Sequence, residues 1–346
     1  MYRRAILFFL LRTVVRIYII AVPVYEQEPE YKVIFWNLEN FFDTFYDQGR
    51  EDGNFTPFGE MHWTKKRFTA KRNAIAKTII GAGEGCAPVI IGFAEVEKRY
   101  VLNNLIEETP LAQIGYSIIH KDSPDRRGID VALIYRRELF VPLETEFIEV
   151  ILPDTTATTR DILYTKGVLK ERDTLHIFVN HWPSKFGGAT FSEPGRRAAS
   201  DALKHKSDSI LHNNKYANIV AMGDFNDTPD ASTITALDKL TNLSYDLHKR
   251  GEGSIKYRGA WELIDQILVS PNLLNREKSD SRHQQQHNGP GHLCVKSVSI
   301  YSPPYLLEKD ATYSGMKPKR TYVGPRYNGG ISDHLPVILK MEINII

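Results

Sequence analysis

The feature that most constrains this chain is the pairing of short apolar runs with polar clusters at their ends. Ile219-Val220-Ala221-Met222 leads into Gly223-Asp224-Phe225-Asn226-Asp227, and Ser332-Asp333-His334-Leu335-Pro336 leads into Val337-Ile338-Leu339. Apolar runs this short, bounded by turn residues, read as buried strands. Alternate side chains of a strand share a face, so Asp224 and Asn226 can point the same way where the first strand ends. An acid, an amide and an Asp-His pair gathered at strand ends suit metal-assisted attack of water on a phosphate ester.

The same alternation of strand and polar end runs through the chain. Residues 33–36, 88–93, 116–119, 129–135, 162–169, 175–179, 263–269, 295–300 and 335–343 read as further strands. A helix is predicted over 65–80, with Phe68, Ile75 and Ile79 on one stripe and Gly81 as its stop. Others are predicted over 102–108 and 231–239, and one has Pro194 near its first turn and Ala199, Leu203 and Ile210 facing inward. Strand-rich blocks with interspersed helices predict two sheets packed face to face with helices outside them. One α/β domain over residues 32–346 is expected, after a leader and linker over 1–31.

The apolar fraction of 42% allows a sizeable core, and the net charge of +2 gives no global basic footprint of a nucleic-acid binder, which leaves only a local one. Cys86 and Cys294 lack metal-ligand spacing and are expected as two buried thiols. Arg3 and Arg4 before the apolar run 5–11 resemble a signal peptide, although Arg12 and Arg16 break the apolar character beyond it. That leader predicts an exported or membrane-associated chain, with a cytoplasmic one as the alternative. The polar segment 276–292 reads as a surface loop, with metal capture by His283, His287 and His292 as the lesser alternative.

Five places carry chemistry. Asn37 follows a strand directly, and an amide oxygen is a hard ligand suited to Mg²⁺. Glu95 ends an apolar run, where a carboxylate needs a cation, a donor or water. Glu97 stands two residues on as a competing ligand. His181, in Asn180-His181-Trp182-Pro183-Ser184-Lys185, can donate to a phosphoryl oxygen. Asp224 can orient or deprotonate water while Asn226 holds the water or a phosphate oxygen. Asp265, inside an apolar run, needs a partner, and His334 is the obvious one; a carboxylate on one ring nitrogen fixes the tautomer and raises the basicity of the other.

Taken in order, Asn37 with Glu39, Glu95, Asp130 in Gly128-Ile129-Asp130-Val131-Ala132, His181, Gly223-Asp224-Phe225-Asn226, Asp265 and Ser332-Asp333-His334 resemble the motifs of the endonuclease/exonuclease/phosphatase family. The resemblance spans residues 33–339, and the contexts of Asn37 and His181 are similar to a bacterial nuclease-like branch. It implies a deoxyribonuclease I-like four-layer α/β sandwich of two mixed, mainly antiparallel sheets, and phosphoester hydrolysis with Mg²⁺ or Mn²⁺. It also implies that Asn37 and Glu95 help hold the metal, with Asp333 contributing, and that Asp224 aligns or activates the water. Asn226 would position the phosphate, His181 and His334 would neutralise its oxygens, and Asp265 would orient His334, which serves either as base or as electrostatic stabiliser.

The leading expectation is a monomeric phosphodiesterase acting as endonuclease or exonuclease on DNA or RNA. Lys65, Lys66, Arg67, Lys71, Arg72, Lys185, Arg196 and Arg197 are available for phosphate contacts. The rival enzyme acts on inositol phosphates or phospholipids, because the motifs handle the phosphate and not the leaving group. A third reading is an inactive binding module.

Overall fold

The computed structural model describes residues 30–344 apart from 155, 171–172, 186 and 275–291. Eleven residues, Tyr31–Phe41, form β1, nearly all of it buried, as expected of a strand covered on both faces. Next come α1 (Lys65–Gly83), β2 (Ile90–Val96), α2 (Arg99–Glu107), β3 (Tyr116–His120) and β4 (Asp130–Arg136). The middle of the chain supplies β5 (Phe140–Ile148), β6 (Ile162–Leu169), β7 (Thr174–His181), α3 (Ala189–Asn213) and β8 (Asn218–Asp224). Shorter pieces succeed them: α4 (Ser232–Thr235), β9 (Thr241–Asn242), α5 (Tyr245–Lys249), β10 (Ile255–Tyr257) and β11 (Ala260–Glu262). The last third holds β12 (Asp265–Val269), β13 (His292–Ile300), β14 (Leu307–Lys309), β15 (Met316–Pro318), β16 (Tyr322–Val323), β17 (Arg326–Tyr327) and β18 (Val337–Asn344).

Two six-stranded sheets carry the fold, in the orders β13-β18-β1-β2-β4-β3 and β5-β6-β7-β8-β12-β9. Each is mixed: β1 runs parallel to β2 and β7 parallel to β8, and the other pairings within these sheets are antiparallel. Val33, Phe35, Ile90 and Leu133 of one sheet meet Ile177, Val179, Val220 and Met222 of the other in the inter-sheet core. Helices α1 and α2 cover the outer face of the first sheet through Phe68, Ile75, Ile79, Leu102 and Leu105. On the opposite side α3 brings Ala199 and Leu203 against Phe178, Ile219 and Ala221. These are the two packed sheets with helices outside that the strand pattern predicts, and the four-layer, deoxyribonuclease I-like sandwich that the family resemblance implies.

Local differences have local causes. Thr64 caps α1 by accepting from the Arg67 N–H, but Gly81 does not end the helix, which runs to Gly83 and closes on Glu84 in the left-handed region at φ 49°. Pro194 lies within α3 beyond its first turn, and the helix expected over 231–239 is only the single turn α4. β5 escapes the sequence reading because it is an edge strand carrying Pro142 and exposed Glu144 and Glu146. Cys294 is buried, whereas Cys86 is exposed, against expectation. His283 and His287, and the loop expected around them, lie outside the described residues; His292 opens β13.

The expectation of an exported or membrane-associated chain is corrected. Among the described residues no helix is long and apolar enough to cross a membrane, and the apolar run that suggested an anchor lies in residues 1–29, outside them.

Candidate active site

Strand direction gathers the polar ends at one edge of the sandwich. β1 and β2 run parallel and finish together, and β18, antiparallel to β1, starts beside their ends. In the second sheet β7 and β8 finish together, with His181 paired to Asp224, and β12 starts there, with Asp265 opposite Asp224. Gly223 is required at this crowded point, since a Cβ on it would lie 2.5 Å from Asn180 Cβ and 2.6 Å from the Asn180 carbonyl oxygen.

Asp224 is the hub. Asn37 Nδ2 donates to its Oδ2 at 3.0 Å, the Asn226 N–H donates to its Oδ1 at 3.0 Å, and His181 Nε2 stands 3.7 Å from Oδ2. His334 Nε2 approaches the same Oδ2 to 3.9 Å, while His334 Nδ1 is 2.7 Å from Asp265 Oδ2. Glu95 lies beside them, 3.4 Å from Asn37 Nδ2 and 4.0 Å from His181 Nε2, and accepts the Asn40 N–H at 2.8 Å. Asp333 Oδ1 is 3.9 Å from His334 Nε2. Asn37, Glu95, His181, Asp224, Asn226, Asp265, Asp333 and His334 therefore lie together.

The backbone is bent to achieve this. Glu39, Asn40, Glu95 and Asn226 all have left-handed φ values of 46°, 57°, 59° and 51°. For residues other than glycine that conformation is costly and is retained where surrounding structure dictates it. Register breaks between β1 and β2 and between β2 and β4 fall in the same stretch and turn Glu95 toward the site.

Electrostatics separate the two histidines. Burial pushes the His181 imidazole well below its ordinary pKa, helped by Arg160, Arg127 and His334, so it is neutral near pH 7. Burial also acts to lower His334, but the charge and hydrogen bond of Asp265, joined by the Asp224 and Asp333 charges, outweigh it and raise His334 well above the ordinary value. Asp224 is pushed up to about 7, first by burial and then by the Asp265 charge.

Several predicted residues serve other ends. Glu97 points away from the site: its Oε2 accepts the Asp43 N–H and it lies beside Lys98. Asp130 accepts the Ser123 N–H and neighbours His120. Asn226 donates its side-chain amide to the Trp182 carbonyl at 2.9 Å. Lys71 is buried on the Glu39 carbonyl and Thr321 Oγ1, and Arg196 is buried on Asp227, so neither is a solvated phosphate contact. Arg67 is held by the Met61 and His62 carbonyls and stacks over Tyr327.

Sequence reasoning missed Arg320. Its Nε bonds Glu39 Oε1 at 2.9 Å and another guanidinium nitrogen lies 2.9 Å from Asp333 Oδ2, so it ties the end of β1 to the residue beside His334. Arg160 was missed as well; it is buried and bridges Asp125 to the Trp182 carbonyl. A cavity of about 340 Å³ adjoins Glu39, Asn40 and Arg320, walled by Phe55, Met61 and Tyr322.

The donor set fits a hard divalent cation. Glu95, Asp224, Asp265 and Asp333 offer carboxylate oxygens, and Asp224, Asp265 and His334 hold ligand-type atoms within 4.8 Å of one another. Asn37 is turned the other way: its Oδ1 accepts the Glu39 N–H, and its amide nitrogen faces Glu95 and Asp224.

Fold and site together define an α/β sandwich with an acid–histidine centre at the strand ends of both sheets. The chain belongs to the Endonuclease/Exonuclease/phosphatase family, which matches residues 32–343. No curated protein matches it. Among solved structures it is similar to the human Nocturnin catalytic domain with bound sulfate anion, at 17% identity and TM-score 0.57, covering 92% of this chain and 96% of that one. It is also similar to Danio rerio TDP2 complexed with single strand DNA product, at 12% identity and TM-score 0.54, covering 90% and 99%. An endonuclease/exonuclease/phosphatase family protein from Bacteroides thetaiotaomicron is similar at 15% identity and TM-score 0.54, covering 91% and 98%.

Proposed function

We propose that this chain is a divalent-metal-dependent phosphodiesterase acting on nucleic acid, with Mg²⁺ or Mn²⁺ as its ion. Family membership and structural neighbours such as Nocturnin and TDP2 suggest phosphodiesterase or nuclease-type activity. The observation that carries the reading is the pair His334–Asp265, at 2.7 Å, with His334 and His181 both approaching Asp224 Oδ2 and Glu95 beside His181. The solved TDP2 complex with single strand DNA product favours a nucleic-acid substrate.

Glu95 and Asp333 would hold the ion, and Asn37 would hold Glu95 and Asp224 in register through its amide nitrogen. A divalent ion held there supplies Lewis-acid polarisation of a phosphoryl oxygen and screens the carboxylates. Asp224, raised toward neutrality, orients the attacking water and accepts its proton as the new oxygen–phosphorus bond forms. Meanwhile the bond from phosphorus to the ester oxygen breaks, and the leaving oxygen takes a proton from solvent. Asp265 fixes His334 with Nδ1 toward itself, which leaves Nε2 to donate to the phosphoryl oxygen where charge develops. His181 donates from Nε2 as a neutral imidazole. Asn226 steadies Asp224 through its N–H while its side chain anchors the loop on Trp182.

A substrate panel of duplex DNA, single-stranded DNA, abasic DNA, RNA, inositol phosphates and phospholipids, each with Mg²⁺ and with chelator, tests the proposal. Metal-dependent cleavage of at least one nucleic acid is expected. Turnover confined to inositol phosphates or lipids would reject the nucleic-acid substrate, and no turnover of any ester would reject the enzyme.

A further inference from the structure

On the far side of Glu95 the loop after β1 carries a second acidic cluster that the reaction does not use. Asp47, Asp52 and Glu97 place carboxylate oxygens within 4.8 Å of one another, and Asp43 adjoins them by donating its N–H to Glu97 Oε2 at 2.6 Å. Asp43, Asp52 and Glu97 are buried, with exposures of 2%, 2% and 5%. Among the described residues Asp52 Oδ1 and Glu97 Oε1 have no hydrogen-bond partner. The other oxygen of each is satisfied, Asp52 Oδ2 by the Asp47 N–H at 3.0 Å and Glu97 Oε2 by the Asp43 N–H. A buried carboxylate oxygen left without a donor is nonetheless costly unless a cation compensates it.

The cation within reach is the Lys98 ammonium, 2.6 Å from Asp47, 2.9 Å from Asp43 and 3.8 Å from Glu97 Oε1. Those distances show that Glu97 Oε1 faces the centre of the cluster. Among the described residues Lys98 is the one cation paired with these acids, and burial, with the Asp43 and Asp47 charges, pushes Glu97 up to about 8, so the centre is short of positive charge. Lys98 has a flexible stem and is partly exposed, so its head can withdraw to water.

We propose that Asp43, Asp47, Asp52 and Glu97 form a second divalent-cation site, distinct from the catalytic one, beside the Lys98 ammonium. Carboxylates on an irregular loop suit Ca²⁺, which takes several oxygens in adaptable geometry, better than Mg²⁺, which demands a near-ideal octahedron. The ion would pin the 43–52 loop to the end of β2, two residues beyond Glu95. Its existence does not depend on the phosphodiesterase reading.

The test is calorimetric titration of Ca²⁺ into chelator-treated full-length protein carrying Glu95→Gln, which weakens the catalytic site. Binding of one ion is expected, with a Kd roughly between 10⁻⁵ and 10⁻³ M. Adding Asp52→Asn should weaken that binding at least about tenfold, the effect common for altered metal shells. Lys98→Met, which removes the competing ammonium, should tighten it, and Ca²⁺ should raise the melting temperature of Glu95→Gln but not of the variant that also carries Asp52→Asn. Absence of binding in both Glu95→Gln and Lys98→Met, or affinity unchanged by Asp52→Asn, would overturn the site. The Lys98→Met arm keeps the test decisive should Asp52→Asn fail to fold.

Discussion

Asp265 is wholly buried and touches no solvent, yet the charge state of the site depends on it. Its contact with His334 Nδ1 makes the imidazole a strong hydrogen-bond donor at Nε2. Asp265→Asn should lower kcat by roughly 10–100-fold, as loss of a ligand-orienting carboxylate does elsewhere. His334→Ala should cost about 10²–10³ in kcat, the scale for removing one preorganised donor. Steady-state kinetics on whichever ester the panel identifies checks both, and equal activity of Asp265→Asn and wild type would strip Asp265 of its orienting role.

Also at this scale, His176 supplies a pH-dependent stability signal away from the catalytic groups. Burial first, then Lys166 and Lys206, lower its pKa from 6.5 to about 4, and Tyr164 hydrogen-bonds its Nδ1. The unfolded chain therefore binds the proton more readily than the folded one. Its contribution to stability is fully present above about pH 6.5 and is lost as pH falls toward 4. Urea unfolding of wild type and His176→Phe across that window should show a shallower acid decline in the variant.

At the scale of elements, strand ends were legible in the sequence because buried strands must be apolar and their polar ends stand out against that background. Asp265 could be paired with His334 on those grounds, and Asp224 placed at a strand end. Arg320 could not: it sits among loop residues of ordinary polarity and reaches Glu39 across 281 positions. Lys71 looked like part of a basic helix face, but the helix turns it inward to Glu39 and Thr321. The edge strand β5 was illegible because half of it faces water and alternation there carries polar residues. Glu95 is preferred to Glu97 in the sequence because it directly follows the apolar run, and the bulge in β2 sends the two carboxylates to different clusters.

Those long-range ties make the loop before β18 an element of the site. Glu39 lies under Arg320 and the Thr321 N–H, with the Lys71 ammonium next to its carbonyl. Glu39→Ala would release Arg320 from β1 and leave the buried Thr321 N–H without its acceptor. A loss of about 1–3 kcal/mol is expected, the cost of leaving a buried donor unsatisfied. Denaturant titration checks it, and a change under about 0.5 kcal/mol, the range of ordinary surface substitutions, would show the network to be incidental.

For the whole molecule, the two sheets matter because neither holds the site alone. The first contributes Asn37, Glu95 and His334, and the second His181, Asp224 and Asp265. Their packing through the inter-sheet core sets the distances between acid and histidine. Whether these groups act as one metal-assisted centre is tested most directly by the cleavage rate of a labelled oligonucleotide. It should be measured in wild type and Asp224→Asn after metal removal and after Mg²⁺ is restored. The expected result is no cleavage without metal, recovery in wild type on adding Mg²⁺, and a rate at least about 10²-fold lower in Asp224→Asn with Mg²⁺ present. Cleavage by wild type that persists in chelator, or an Asp224→Asn rate equal to wild type, would contradict it.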